Sequence, residues 1–404
     1  MEQVGKPRSD MILLMLLLVT LGVGVALLFS ASYAFSAHAW NDPFYLVKRQ
    51  LIWAAIGGAA AFVVSLTPLE IFRRALPLLL LATLAAVLLP FLPGLGTSVL
   101  GSRRWISAFG FSFQPSELVK VTLVLYLASY FARRTDDGKS GDISTDKPAD
   151  KSTDKSTDKS TEYRGEYRGE YRGAKMSLNA LIPPFIVIFV FSALILVQND
   201  YSTAIFILVI GLAMLFIARV RILHFLLVTL ITVPLGFLLL FTREHRVQRL
   251  LAFLDLSSYR SGTGYQIVNA KAALASGGLF GRGLGRSAAK LGPLPMSHSD
   301  FIYAIIGEET GLLGSLFVLA LFVLLAWRGY QIAFRTEDRF SSYVAFGMTT
   351  AICLQAFLNM AVAVGLVPTT GVTLPFFSAG GSSLFVTLVM CGILLNLSRG
   401  AAHV

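Results

Sequence analysis

The chain has 404 residues, of which 55% are hydrophobic and only 14% are charged, and its formal net charge is +11. Long apolar stretches recur along the whole sequence, which indicates an integral membrane protein rather than a soluble globular domain. Much of the positive surplus lies in short loops beside apolar stretches, so it indicates membrane topology and argues against nucleic-acid binding.

The first apolar stretch, residues 11–33, follows Lys6 and Arg8, as the core of a signal peptide would. It is longer than the roughly 7–15 apolar residues of such a core. We therefore expect a retained first helix whose N-terminus lies in the cytoplasm.

Apolar stretches of about 18 or more residues, bounded by charge or by Pro and Gly, predict ten membrane-spanning helices. An even number returns the C-terminus to the cytoplasm and places most arginine-rich loops inside, where retained positive charge normally lies. We expect an all-α polytopic membrane protein with a long extracytoplasmic loop between the seventh and eighth spans. The predicted spans lie near residues 11–33, 47–66, 71–92, 113–132, 178–198, 202–219, 222–241, 301–327, 341–364 and 379–397.

The predicted organisation has five parts. One of them, the cytoplasmic stretch 135–175, is unlike the rest, because STDK begins at residues 144, 152 and 156, and EYRG begins at 162, 166 and 170. Such repeated polar sequence cannot bury enough apolar area to offset its ordering entropy, so we expect disorder. The parts are residues 1–134 (spans one to four), 135–175 (the insert), 176–241 (spans five to seven), 242–300 (the extracytoplasmic loop) and 301–404 (spans eight to ten).

Three groups of positive charge break the topology rule, because they lie on the predicted outer side. They are Lys48 with Arg49, Arg103 with Arg104, and the eight Lys and Arg residues of the 242–300 loop. Two interpretations remain open, namely contacts with lipid head groups and binding of an anionic ligand. Head-group contact is as good an account as ligand binding for Lys48 and Arg49.

The 242–300 loop contains helical patterns of its own. Apolar residues at positions i, i+3, i+4 and i+7 predict an interfacial helix, with Arg246 and Arg249 elsewhere around the helix. A second short helix is predicted from Gln266 to Ala275, ending at Gly277. The apolar positions of the first helix are Val247, Leu250, Leu251 and Leu254.

A glycine-rich sequence, GGLFGRGLGR, follows at residues 277–286. It lacks the βαβ context of a dinucleotide-binding loop, so that match is weak. Backbone N–H groups flanked by Arg282 and Arg286 are suited to binding a phosphate or pyrophosphate, and a plain flexible turn is the alternative.

Four acidic residues and a lysine fall near the predicted outer ends of spans. Asp300 is either the N-cap of the eighth span or a sheltered general base. Glu308 and Glu309 lie two turns deeper and are expected to pair with a buried cation such as Lys120. Glu117 lies three residues before Lys120, so these two can pair on one helix face or contact a substrate.

Two outer turns complete the predicted site. Asp200 lies in a tight turn, where it is suited to capping the sixth span. Residues 355–383, QAFLNMAVAVGLVPTTGVTLPFFSAGGSS, contain too much Pro and Gly for one continuous helix. Irregular backbone at membrane depth is tolerated only where protein or a cavity shields it, so we expect this segment to line a site.

Three motifs, in order, carry a resemblance to a known family. They are GSRRWI with FSFQPSELVK (residues 101–120), SHSDFIYAIIGEETG (297–311) and GLVPTTGVTLPFFSAGGSS (365–383). They closely resemble the SEDS family of shape, elongation, division and sporulation proteins, over nearly all of the apolar chain. DPFYLVKRQ (42–50) and TLPFFSAGGSS (373–383) look more like the FtsW/SpoVE branch than RodA.

The resemblance implies ten transmembrane helices in the bacterial cytoplasmic membrane and polymerisation of lipid II into glycan strands. It also implies a class B penicillin-binding transpeptidase as partner, alongside other division or elongation proteins. A flippase for the lipid-linked precursor and a scaffold that only recruits the transpeptidase are the alternatives. Neither a cofactor nor a thiolate metal site is predicted, since the only two cysteines lie in apolar spans. A requirement for a divalent cation is left open.

The family's essential acid aligns with Asp300, in a His298-Ser299-Asp300 sequence where His-Thr-Asp is usual. Two neighbours depart from the family pattern: Ala379 stands where Tyr is usual, and Met296 lies where an acid is often found. The residues expected to bind substrate are Lys48, Arg49, Arg103, Arg104, Trp105, Glu117, Lys120, Arg282, Arg286, His298, Ser299, Ser378, Gly380, Gly381 and Ser382.

Overall fold

A computed structural model gives the fold, and it describes residues 10–93, 96–99, 102–108, 111–140, 178–218, 220–241, 244–255 and 263–400. These residues form twelve α-helices and one small β-sheet. The helices are α1 (Met11–Trp40), α2 (Tyr45–Leu66), α3 (Leu69–Leu88), α4 (Ser116–Ser140), α5 (Ile182–Val197), α6 (Tyr201–Ile217), α7 (Ile222–Leu240), α8 (Glu244–Leu254), α9 (Thr263–Gly277), α10 (Ile302–Arg335), α11 (Arg339–Ala363) and α12 (Gly381–Gly400). The strands are β1 (Gly96–Val99), β2 (Ser102–Ala108) and β3 (Phe111–Phe113).

The predicted spans correspond to α1–α7 and α10–α12. Within the described residues, seven of these are long and apolar enough to cross a membrane, namely α1, α2, α3, α5, α10, α11 and α12. The α6 helix and the part of α7 up to Pro234 are apolar but shorter. The chain is therefore a multi-pass membrane protein, while the count of ten spans stays a prediction.

The small sheet is an addition that the sequence did not suggest. Its strands are antiparallel in the order β1-β2-β3, and Ile106 pairs with Gly96 on one side and Phe113 on the other. The predicted start of the fourth span, residue 113, therefore lies in β3, and α4 begins at Ser116. The sheet holds Arg103, Arg104 and Trp105 of β2 in extended backbone.

Close packing at glycine joins α12 to α2. A Cβ atom at Gly392 would lie 2.5 Å from the carbonyl oxygen of Ala61, and one at Gly381 would lie 2.0 Å from Nε1 of Trp53. Small residues let membrane helices approach closely, which replaces the hydrophobic driving force that lipid surroundings remove. The α11 and α12 helices are the most buried of the seven spans, whereas few residues of α1, α2 and α3 are buried within the protein.

Both helices predicted in the long connection between α7 and α10 are confirmed. The first is α8, and the second, α9, begins at Thr263 and ends at Gly277. The α10 helix then runs for 34 residues, interrupted at Gly311, where φ is 72°. Most of the predicted disordered insert, residues 135–175, lies outside the described residues, although α4 continues to Ser140.

The contact between α2 and α12 predicts the effect of two matched substitutions. Gly392→Ala places a Cβ against the backbone of Ala61 and should lower the free energy of unfolding by about 1–3 kcal/mol. Gly58→Ala, where no atom lies within 4 Å of the added Cβ, should cause no loss. Thermal unfolding in detergent measures both, and equal stability of the two variants would contradict this account of the packing.

Candidate active site

Asp300 lies in the short turn that leads into α10. The helix begins at Ile302, and its N-cap, Phe301, makes no side-chain capping hydrogen bond. The alternative in which Asp300 caps this helix is therefore wrong. Its carboxylate is half-buried, and Oδ1 accepts a hydrogen bond of 2.9 Å from Oγ of Ser299.

Burial raises the pKa of the Asp300 carboxyl above its usual range. Three groups oppose this rise: the hydrogen bond from Ser299 and the positive charges of Arg104 and Arg249. Burial prevails, because removal from water penalises the charged form more than these groups favour it. A carboxylate with a raised pKa accepts a proton more readily than an exposed aspartate does, which suits a general base.

The 364–380 segment, between α11 and α12, holds the backbone around Asp300. Oγ of Ser378 donates to the carbonyl of Ser299 over 2.6 Å, and the N–H of Ala379 donates to the carbonyl of His298 over 2.9 Å. A Cβ atom at Gly371, where φ is 75°, would lie 3.5 Å from Oδ2 of Asp300. The segment is irregular, as its Pro and Gly content predicts, and its residues 374–378, which include Ser378, are buried in the protein.

Two amides of α11, one helical turn apart, bind both segments. Nδ2 of Asn359 donates to the carbonyls of Asp300 (2.9 Å) and Val372 (2.7 Å). Nε2 of Gln355 donates to the carbonyl of Thr373 over 3.0 Å. Sequence analysis missed both amides as site residues, although polar side chains four residues apart in an apolar helix are a usable signal.

His298 stacks on Phe35, with ring centroids 4.2 Å apart and planes inclined by 23°. Burial lowers the pKa of His298 to about 4, so the ring is neutral near pH 7. Among the described residues, its Nδ1 atom has no hydrogen-bond partner. His298 can therefore offer a neutral hydrogen-bonding group, and it adds no charge to that of the arginines.

Two arginines from distant parts of the chain act on Asp300. Arg104 is on β2, and its Nη1 lies 3.5 Å from Oδ2 of Asp200. Arg249 is on α8, and its Nη1 donates to the carbonyl of Thr369 over 3.3 Å. Arg249 was missed as a site residue, although its place away from the apolar stripe of α8 was a signal. Asp200 caps α6 through the N–H of Thr203, as predicted.

The predicted pair of Glu117 and Lys120 is confirmed, with 2.9 Å between Nζ and Oε2, and both side chains are buried. The ammonium of Lys120 also donates to Oε1 of Gln355 over 2.6 Å. Gln355 in turn donates to the carbonyl of Thr373, so the ion pair supports the 364–380 segment from within the helix bundle.

Glu308 and Glu309 do pair with cations, as expected, but Lys120 is not one of them. Oε1 of Glu308 lies 3.2 Å from Nη1 of Arg282, and Oε1 of Glu309 lies 2.6 Å from Nζ of Lys290. The difference arises because the glycine-rich loop after α9 folds back over α10. Lys120 instead pairs within its own helix.

Backbone N–H groups of this connection between α9 and α10 donate hydrogen bonds to acceptors within the protein. Those of Ala288 and Ala289 donate to the Glu308 carboxylate over 3.1 and 3.2 Å, and that of Arg282 donates to the Glu308 carbonyl over 3.0 Å. The anion at these donors is thus a side chain of α10 rather than a phosphate. Arg286 is exposed, and its predicted contact with substrate stays a prediction.

Four other residues that were predicted to bind substrate lie on α2 and β2. Lys48 is exposed and pairs with Asp42, with 2.8 Å between Nζ and Oδ2, and Arg49 lies over the ring of Tyr45. Arg103 is exposed and Trp105 is half-buried on the sheet. The substrate roles of these four residues stay predictions.

The last predicted residues lie where the 364–380 segment enters α12. Ser378 takes part in the backbone frame described above, and Ser382 is buried in the first turn of the helix. A Cβ atom at Gly380 would lie 3.4 Å from Cγ2 of Thr373, and Gly381 packs against Trp53. Packing therefore requires glycine at 381, whereas a Cβ at position 380 would make an ordinary contact, and the substrate roles of both residues stay predictions.

Across the described ranges, no group of three or more His, Cys, Asp or Glu side chains is placed to hold a metal ion. The site is instead a half-buried carboxylate, two arginines and a neutral imidazole on a rigid backbone frame. Such a set can remove a proton from a hydroxyl and stabilise negative charge.

Comparison with known proteins identifies the family of this chain. A family model described as "Cell cycle protein", FTSW_RODA_SPOVE, matches residues 9–403. The chain belongs to this family. The resemblance predicted from three motifs is thereby confirmed across the membrane helices.

Curated relatives of the FtsW/RodA/SpoVE chain include a probable peptidoglycan glycosyltransferase FtsW from Geobacter sp. (strain M18). It is 36% identical over 396 residues, which cover 97% of this chain and 98% of the relative. Stage V sporulation protein E of Bacillus subtilis (strain 168) is 33% identical over 395 residues, covering 98% of each chain. These relatives agree with the FtsW/SpoVE branch indicated by the sequence.

Two solved structures share the fold of this family member. One, described as "Structural coordination of polymerization and crosslinking by a peptidoglycan synthase complex", has a TM-score of 0.72 at 24% identity and covers 98% of both chains. The other is the rod shape determining protein RodA of Thermus thermophilus, with a TM-score of 0.63 at 23% identity and 97% coverage of both chains.

The lowered pKa of His298 predicts how stability depends on pH. The folded protein favours the neutral imidazole of His298. The contribution of that imidazole to the free energy of unfolding is therefore complete above about pH 6.5 and is lost as the pH falls towards 4. Over this pH range the free energy of unfolding should fall by about 3 kcal/mol. His298→Phe keeps an aromatic ring on Phe35 but cannot be protonated.

Chemical denaturation in detergent at a series of pH values measures this effect. The wild type should lose more stability than His298→Phe between pH 6.5 and 4. Equal losses of stability in the two proteins would show that water reaches the His298 ring and that its pKa is not lowered.

Proposed function

We propose that this protein is a peptidoglycan glycosyltransferase that polymerises lipid II at the outer face of the bacterial cytoplasmic membrane. The observation that carries the proposal is Asp300, a half-buried carboxyl with a raised pKa beside the charges of Arg104 and Arg249. Relatives named as probable peptidoglycan glycosyltransferases, which align with 97% of the chain, support the same activity.

In the proposed reaction, the 4-hydroxyl of an acceptor sugar attacks the anomeric carbon of a lipid-linked donor. A carbon–oxygen bond forms, the bond from the anomeric carbon to the pyrophosphate oxygen breaks, and Asp300 takes the hydroxyl proton. The products are a longer glycan and a polyprenyl pyrophosphate. Ser299 holds the carboxylate through Oδ1, which leaves Oδ2 as the oxygen available to the hydroxyl.

The leaving pyrophosphate gains negative charge as the bond breaks. Fixed cations in a site of low dielectric stabilise such charge without needing to reorganise. Arg104 and Arg249 are the best placed, because each acts on Asp300 and is held by a contact of its own. Arg103, Lys48 and Arg286 would act farther out, on the lipid-linked substrate as it enters.

A class B penicillin-binding transpeptidase is the proposed partner. The structural neighbour from a peptidoglycan synthase complex that coordinates polymerization with crosslinking supports this choice. We place both termini in the cytoplasm, which puts Asp300 at the outer face, where a crosslinking enzyme would receive the new strand. Other membrane proteins of division or elongation would join the same complex.

Reconstitution tests the activity. The purified chain with a class B transpeptidase and lipid II should form glycan strands, and Asp300→Asn should lower the rate about 100-fold or more, since the amide cannot accept the proton. Glu337→Gln makes the same carboxylate-to-amide change at an exposed position and should keep full activity. Wild-type rates in Asp300→Asn would exclude Asp300 as the base, and strands from neither protein would favour a flippase or a scaffold.

The arginines predict the pH dependence of the polymerase. The rate should rise with pH as Asp300 loses its proton, in a range above that of an ordinary aspartate. Arg249→Gln removes a charge that lowers the pKa of Asp300, so the acidic limb of the pH–rate profile should move to higher pH.

Arg335→Gln, at an exposed position near the end of α10, is the matched control for charge. It should leave the position of the acidic limb unchanged. A uniform fall in rate in Arg249→Gln with no movement of that limb would mean that Arg249 binds substrate without tuning Asp300.

A further inference from the structure

A second basic site lies between α3 and α4, apart from Asp300. It is a cavity of about 320 Å³. Its lining includes Arg73, Arg74 and Pro77 from α3 and Tyr126, Tyr130 and Arg133 from α4. The proposed reaction uses none of these residues.

The helices place this cavity at the far end of the bundle from Asp300. Arg73 lies 15 residues before Leu88, the last residue of α3, which is about 22 Å along a helix. The sheet that carries Arg104 follows that end of α3. The guanidinium of Arg73 also lies 5.5 Å from the ring centroid of Phe340, in the first turn of α11, whereas Asn359 near the other end of α11 binds Asp300.

The cavity is strongly positive. Its described lining contains three arginines and no carboxylate. Glu70 lies 3.5 Å from Arg74, and both side chains are exposed, so this pair neutralises little. Arg134 adds a further cation beside the cavity, with its guanidinium 5.9 Å from the centroid of Tyr130.

Aromatic contacts hold two of these cations in place. Arg73 rests on Phe340 and Arg134 rests on Tyr130. An arginine that only marks topology would extend freely into water or head groups. Here the guanidinium planes are supported beside a cavity, which suits them to binding the oxygens of a phosphate.

Beyond its two arginines, the α3 side of the cavity is apolar, and the same helix exposes leucines on its outer surface. Pro77 has no N–H, so the carbonyl of Arg73 lacks its helical partner from that position. Leu76 and Leu80 line the same wall, while Leu78 and Leu81 are 68% and 64% exposed on the lipid-facing side. An occupant with a phosphate and an adjoining acyl chain fits both surfaces.

We propose that this cavity binds the phosphate head group of an anionic phospholipid in the leaflet opposite the Asp300 site. Retained arginines normally face the cytoplasm, so that leaflet is the inner one, where basic pockets between helices bind anionic head groups. The binding is independent of glycan polymerisation. It would anchor the α3–α4 end of the protein to the lipid composition of its membrane.

The test is lipid retention by the full-length protein, extracted from vesicles of phosphatidylcholine mixed with phosphatidylglycerol and examined by native mass spectrometry. The wild type should keep phosphatidylglycerol bound. Arg73→Gln combined with Arg133→Gln removes two of the lining charges and should weaken retention about tenfold or more. Arg221→Gln combined with Arg335→Gln removes two arginines that do not line the cavity and should retain the lipid.

Two further measurements and one replacement variant complete the test. Unfolding in detergent without anionic lipid checks that the double variant folds, and Arg133→Gln alone, which spares the contact with Phe340, replaces it if it does not. Undiminished phosphatidylglycerol retention in the folded variant would overturn the proposal. Displacement of the lipid by soluble glycerol phosphate at similar concentration would also overturn it, in favour of a small-phosphate site.

Discussion

The hydrogen bonds of Asn359 are the interaction on which the site depends. One side-chain amide on α11 joins the carbonyl of Asp300 to that of Val372, and thereby joins two irregular segments that have no helix of their own. At membrane depth, backbone polar groups outside helices must be satisfied by protein, because lipid offers no partners. The frame that meets this requirement is also what fixes the acid, since Ser378 and Ala379 bind the carbonyls immediately before it. The same hydrogen bonds therefore stabilise the irregular backbone and fix the position of Asp300.

A second anchor lies on the other side of Asp300. The carboxylates of Glu308 and Glu309 are buried in α10 and would be costly there without partners. The glycine-rich loop supplies those partners through Arg282, Lys290 and its N–H groups. The approach is close: a Cβ atom at Gly281 would lie 2.2 Å from the carbonyl oxygen of Glu309, and φ there is 80°, so only glycine fits without strain. Two neighbouring acids of one motif therefore serve structure, while Asp300 remains available for chemistry.

Local interactions were the ones that the sequence could predict. The pair of Glu117 and Lys120 depends only on helical spacing, the capping of α6 by Asp200 only on a turn, and α8 on an apolar stripe. The partners of Glu308 and Glu309 could not be predicted, because they come from a loop about 20 residues away whose path is set by Gly281 and Gly311. Arg104 was predicted to bind substrate, but its position beside Asp300, like that of Arg249, depends on contacts between segments far apart in the chain.

By itself, the sequence determined that this is a membrane protein of many helices and where most of those helices lie, and its family motifs single out Asp300 as the proposed catalytic acid. Those properties follow from apolar stretches, helical periodicity and residue identity, all of which are local along the chain. Tertiary structure decided which charges neutralise each other and which remain near the acid. That choice depends on contacts between residues far apart in sequence, such as Arg104 with Asp200 and Asn359 with Asp300. In a low-dielectric interior each buried charge must find a partner, and only the folded chain specifies which one it finds.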